Sequence, residues 1–180
     1  MQIGFRNLNA LPKKRGCLLM NEDIKKIIDC LKEGLNEEPS NIVFGKLNDG
    51  IEGDSEVNSL KLGKYFDLLN LTNGARCGDI DLWSYSELER NQYVLSDKQD
   101  KKESWLSIGQ ILYEPLIMNR FDGNVYRFNM DEDETLMNCF GELDFFLKNY
   151  VFGSGYCKAI PNSEEDDWFL FLKKKGIISD

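Results

Sequence analysis

Asp122-Gly123 lies between two β-prone runs, Leu116-Ile117-Met118 before it and Val125-Tyr126-Arg127-Phe128 after it. Glycine takes positive φ at no steric cost and aspartate tolerates it, so the dipeptide reverses the chain tightly and sets the two runs antiparallel. Trp105-Leu106-Ser107-Ile108 reads as a further strand, and Ile80 and Leu82, continued by the aromatic segment 83–85, as another. These runs put an antiparallel sheet at the centre of any fold this chain adopts.

Helical patterns flank the strands. Ile24, Ile27, Ile28, Leu31 and Leu35 recur at the spacing of one helix face, with Asn21 placed to cap the first turn and Pro39 beyond its end. A second helix is expected over residues 58–70, with Tyr65, Phe66, Leu68 and Leu69 inward and Asn73-Gly74 closing it. Between the two, residues 45–56 read as an irregular loop, given Asn48-Asp49-Gly50 and Gly53-Asp54-Ser55.

The acidic run 131–134 reads as the start of a third helix, whose stripe is Leu136, Cys139, Phe140, Leu143, Phe146, Leu147 and Tyr150. A last helix is expected from Ser163 as N-cap, with Asp166 three residues on and Lys173, Lys174, Lys175 and Gly176 at its end. Its centre, 168–172, is apolar all round, which suits burial between layers or cover for an exposed edge. The order is helix, strand, helix, several strands, then helices. That predicts an α+β fold, a mainly antiparallel β-sheet packed with helices.

With 180 residues and 42% apolar residues, one core is enough without disulfides or metals. The chain contains no histidine, which excludes Ser–His–Asp and Cys–His catalysis and the common zinc motifs. Five cysteines without a CxxC spacing read as reduced thiols, with Cys30 and Cys139 expected on the apolar faces of their helices. No apolar run is long enough for a membrane span or a signal sequence, so the expected location is the cytoplasm. No cofactor and no metal ligand set is expected.

Charge is unevenly spread. The net value is −9, and it becomes −13 once the four bases of residues 1–19 are set aside. Residues 1–19 are expected to be a loosely ordered basic leader. A body this acidic repels nucleic acid and attracts cationic proteins over a distance. The residues that could meet such a partner are Asp79, Asp81, Glu87 and Glu89, the pairs Glu132/Glu134 and Glu164/Glu165 at expected helix starts, and Tyr85 as an aromatic anchor. Two other readings stand beside this one. Asp79 and Asp81 have the D-x-D shape that holds Mg²⁺ in phosphoryl-transfer enzymes. The chain could equally be a regulatory interaction module.

A resemblance follows from the order of motifs. Leu68-Leu69-Asn70-Leu71-Thr72-Asn73-Gly74, Ile80-Asp81-Leu82 with Ser86-Glu87-Leu88, Trp105-Leu106-Ser107-Ile108-Gly109, Asp122-Gly123-Asn124-Val125-Tyr126 and residues 140–147 resemble, in sequence order, the motifs of the SUKH superfamily. The resemblance covers residues 20–152 and leaves 153–180 as a helical extension packed on that domain. It implies an α+β fold, with Asn73, Gly74, Trp105, Gly109, Asp122, Gly123 and Phe146 in structural roles. It also implies kinship with bacterial immunity proteins that bind and neutralise secreted toxins, many of them nucleases, and with regulatory modules of cell-wall signalling. A non-enzymatic protein that blocks a basic toxin through its acidic surface is the function expected. No oligomeric state is implied.

Overall fold

A computed structural model of the chain describes residues 20–51, 62–95, 103–128 and 136–179, the side chains of Leu136 and Met137 excepted. Its centre is a seven-stranded sheet: β1 (Gly45–Leu47), β2 (Ala75–Cys77), β3 (Ile80–Leu82), β4 (Trp105–Ile111), β5 (Glu114–Asn119), β6 (Asn124–Phe128) and β7 (Leu136–Glu142). The strands lie in chain order and every neighbouring pair is antiparallel. The fold is α+β, as the strand and helix patterning predicts.

Local chemistry explains the reversals. In the β5–β6 hairpin, Met118 pairs with Val125 and the loop is four residues long. Asn119 Oδ1 accepts from Phe121 N at 2.9 Å, Asp122 Oδ1 accepts from Asn124 N at 2.8 Å, and Gly123 has φ +74. The β4–β5 reversal is different. Its two central residues, Leu112 and Tyr113, both hold positive φ, +49 and +69. A tight turn that matches the twist of its strands demands this geometry, and neither residue adopts it readily.

One face of the sheet carries the main core. Helix α1 (Glu22–Asn36) is capped by Asn21, whose Oδ1 accepts from Asp23 N at 2.9 Å, and buries Ile24, Ile28, Leu31 and Leu35. Helix α2 (Lys64–Leu71) buries Tyr65, Phe66, Leu68 and Leu69, the four residues its pattern assigns inward. Short helices follow: α3 (Tyr85–Leu88), α4 (Leu143–Phe146), which runs on as a π-turn over Leu147–Val151, and α5 (Tyr156–Ala159). Helix α6 (Asp167–Lys174) inserts Trp168, fully buried, against the π-turn, and Trp168 Nε1 donates to Val151 O at 2.9 Å. A side chain at Gly45 would stand 2.9 Å from the Trp168 ring and 2.8 Å from Leu35, so α1, β1 and α6 meet closely there. A smaller cluster of Leu95, Ile117 and Phe128 sits apart from this core, with Trp105 and Tyr126 packed against it, their two rings edge-on to each other at 5.4 Å. Among the described residues, no helix is long and apolar enough to cross a membrane.

Several expectations are corrected. Strand β1 lies inside the segment expected to be irregular, pairing Lys46 with Arg76. The strand expected through residue 85 stops at Leu82, because Ser84 and Glu87 form a reciprocal capping box that starts α3. The long stripe 136–150 divides: β7 takes its first half and α4 begins only at Leu143. Gly141, at φ +85, breaks any continuous helix, and strand pairing satisfies the backbone groups of β6 that would otherwise be orphaned. Ser163 does not cap the last helix. Its Oγ donates to Ile160 O at 2.7 Å, and Asp166 caps instead, Oδ1 accepting from Trp168 N at 2.8 Å. Cys30 and Cys139 are exposed and Cys77 is buried. Cys30 lies two residues, or about 200°, beyond Ile28 on α1, and so faces away from the core. The leader 1–19 lies outside the described residues.

Candidate functional site

The β2–β3 turn places Asp79 at one end of the sheet, beside the loop that leads into α6. Asp79 N donates to Tyr156 Oη at 3.1 Å, and Asp79 O accepts from Leu112 N at 3.1 Å. The first contact fixes the turn against α5, and the second fixes it against the β4–β5 turn that carries Tyr113. Asp166 and Asp81 are close enough for their charges to act on the Asp79 carboxyl. Partial burial, then these two charges, raise it above the ordinary aspartate value.

The same end holds Glu164, Glu165 and Asp167, all exposed, around the capping Asp166. Among the described residues, none of Asp79, Glu164, Glu165, Asp166 and Asp167 forms an ion pair. Some carboxylates elsewhere are neutralised, Asp23 by Lys148 at 2.9 Å, Glu37 by Lys175 at 2.7 Å and Glu142 by Lys64, while others such as Glu22, Asp29, Glu33 and Asp144 make no ion pair among the described residues. Tyr113, 90% exposed, is the most exposed large apolar side chain described, and its turn is hydrogen-bonded to the Asp79 turn. The pattern of the sequence gives no hint of Tyr113, since Leu-Tyr carries no turn signature. The Asp79 turn and the start of α6 together offer uncompensated negative charge, which suits a protein surface rich in lysine and arginine, while the Tyr113 ring lies with Trp83, Tyr93 and Pro115.

The other expected residues are dispersed. Asp81 lies in β3 with its carboxylate held by Arg76 Nε at 3.2 Å and Gln110 Nε2 at 2.8 Å. Asp79 sits in the turn and not on the strand, so the two do not form the paired strand carboxylates that D-x-D suggests. Among the described residues, no group of three or more Cys, Asp or Glu side chains is placed to hold a metal ion. Glu87 serves the fold: Oε2 accepts from Ser84 N at 3.1 Å and Ser84 Oγ at 2.7 Å, and Oε1 from Arg90 at 3.0 Å. Burial pushes its carboxyl up, but these bonds outweigh burial and hold it below the ordinary glutamate value. Tyr85 and Glu89 are exposed at the opposite end of the sheet, by Asn73, whose Oδ1 accepts from Tyr85 N at 2.7 Å. Glu132 and Glu134 lie outside the described residues.

The residues singled out as structural do structural work. Gly74, at φ +86, leaves room for Ser84, to which an added side chain would stand within 2.9 Å. A side chain at Gly109 would collide with Asp81 O on the adjacent strand, where β4 carries a bulge. Phe146 is buried against Phe140, ring centres 5.3 Å apart. No protein-family model matches this chain, and no curated protein matches it in sequence.

Proposed function

We propose that this chain is a non-enzymatic binding protein, a cytoplasmic immunity protein that neutralises a basic secreted toxin by covering its cationic site. The observation that carries this reading is Tyr113, 90% exposed at φ +69 on a turn hydrogen-bonded to that of Asp79, whose carboxylate makes no ion pair among the described residues. A non-glycine residue held in left-handed backbone costs stability, and such strain clusters where a protein meets a ligand. A nuclease cleft is built to hold phosphates, so a rigid anionic end competes with nucleic acid for it. The motif order resembling the SUKH superfamily supports the choice of an immunity protein over other acidic binders.

The test is a binding and protection experiment with the C-terminal toxin domain encoded next to this chain's gene. Co-expression should rescue growth and yield a complex that survives gel filtration. If the toxin domain kills equally with and without the chain and no complex forms, the reading fails.

A further inference from the structure

Lys46 of β1 lies directly opposite Arg76 of β2, which lies directly opposite Asp81 of β3. The three side chains form one row on the sheet face away from the main core, since their neighbours Cys77 and Ile80 are fully buried in that core. Like charges set directly opposite each other across two strands are destabilising. In a chain of net charge −9, two cations placed this way call for an anion to offset them. A cavity of about 390 Å³ opens over the row, a size within the roughly 300–1,000 Å³ of small-molecule sites.

The other polar side chains that line this cavity are engaged. Asp81 Oδ1 accepts from Arg76 Nε at 3.2 Å, and its Oδ2 accepts from Gln110 Nε2 at 2.8 Å. Glu87 accepts from Ser84 and Arg90, and Asn48 Nδ2 donates to Asn73 O at 2.9 Å. Lys46 Nζ and the terminal nitrogens of Arg76 have no partner among the described residues. Lys46, Arg76 and Arg90 stand against Asp81 and Glu87, which leaves one positive charge uncompensated. Trp83, half-buried, forms an aromatic wall, and Ile42, 58% exposed, an apolar lip. Trp83 Nε1 is buried without a hydrogen-bond partner among the described residues, and the same side chain also lines the small hollow at Tyr113.

We propose that this cavity binds a small organic acid, its carboxylate held by Lys46 Nζ and the terminal N–H groups of Arg76, and its apolar body set against Trp83 and Ile42. The planar guanidinium matches a carboxylate, and hydrogen bonds between charged groups are roughly twice as strong as neutral ones. The charge left over selects a monoanion. A dianionic phosphate would set its second charge against Asp81 and Glu87, and such like-charge contacts are costly. The acidic body repels anions only at long range, where salt screens it, so the short contacts decide. This inference stands apart from the toxin-binding reading, since neither Asp79, Tyr113 nor α6 lines the cavity.

The test follows the backbone amide and indole N–H resonances of the full chain by NMR at pH 7, with phenylacetate as probe. Trp83→Phe identifies the Trp83 indole among those of Trp105 and Trp168. Millimolar phenylacetate should shift the Trp83 indole resonance and the amides of Lys46 and Arg76. Neutral phenylacetamide should bind about fivefold or more weakly. Phenyl phosphate, which carries about −1.5 to −2 charges at pH 7, should also bind more weakly than the carboxylate. Lys46→Met and Arg76→Gln should each weaken the carboxylate by a similar factor. Lys46→Met should not lower the thermal midpoint, because it removes one of two opposed like charges. No shift at these residues with millimolar phenylacetate would overturn the proposal. So would equal binding of acid and amide, tighter binding of the phosphate, binding that both substitutions leave unchanged, or a lower midpoint for Lys46→Met.

Discussion

Leu112 N donates to Asp79 O at 3.1 Å, joining the β4–β5 turn to the β2–β3 turn at one end of the sheet. This single bond ties the turn that carries Tyr113 to the turn that carries Asp79. Neither feature suffices alone. Exposed acids are common, and an isolated exposed tyrosine needs no explanation.

Tyr113→Gly should stabilise the protein while weakening its complex. Left-handed backbone costs a non-glycine residue about 1–2 kcal/mol, and glycine returns about 0.5–1 kcal/mol of that through unfolded-state entropy. At 90% exposure the ring contributes little packing, so a net gain of roughly 0.5–1 kcal/mol is expected in urea denaturation. Toxin should leave the variant faster. A variant that is less stable, or that releases toxin at the native rate, counts against a strained turn kept for binding.

Asp79→Asn addresses the electrostatic cost of the same end. The folded-state pKa of Asp79 lies above its ordinary value, so the native state holds the proton more tightly than the unfolded state. Its contribution to stability is therefore present below the ordinary aspartate pKa and is lost as pH rises through the folded-state value. The asparagine variant should match the native chain at low pH and exceed it at pH 7. Because the group is mostly exposed, the gain is on the order of a few tenths of a kcal/mol and shrinks in high salt. Equal thermal midpoints at pH 7 in low salt would remove the proposed repulsion.

Trp168→Ala should cost about 3–5 kcal/mol, the usual loss for a large buried aromatic, with the orphaned Val151 carbonyl adding to it. Denaturant midpoints measure this. A cost under about 1 kcal/mol would mean that α6 rests on the surface and is not part of the core.

What was legible in the sequence follows from where local chemistry agrees with tertiary demand. The Asp122-Gly123 hairpin and the α1 stripe were readable because their turn residues and spacing serve the fold directly. The stripe 136–150 misled because Cys139 and Phe140 fit either period, and only the need to pair β6 decides for a strand. Of the candidate site, Asp79, Glu164 and Glu165 were found as charges, but their proximity depends on α6 lying beside the β2–β3 turn. Tyr113 was invisible: its positive φ is imposed by the strands it connects. Glu87 looked like a surface acid because a capping box reads the same in sequence whether or not its carboxylate remains free for a partner.

The most direct test of the central claim is the association rate of the toxin domain as a function of salt. The Debye length falls from about 10 Å at 0.1 M to about 3 Å at 1 M, so steering by the acidic end should fade across that range. The on-rate should fall by about tenfold or more while the off-rate changes little. Charge reversal at Glu164 and Glu165 should slow association in low salt and flatten the salt dependence, with Asp166 left intact to cap α6. An on-rate that stays level from low to high salt, or one indifferent to reversal of Glu164 and Glu165, would contradict docking through this end.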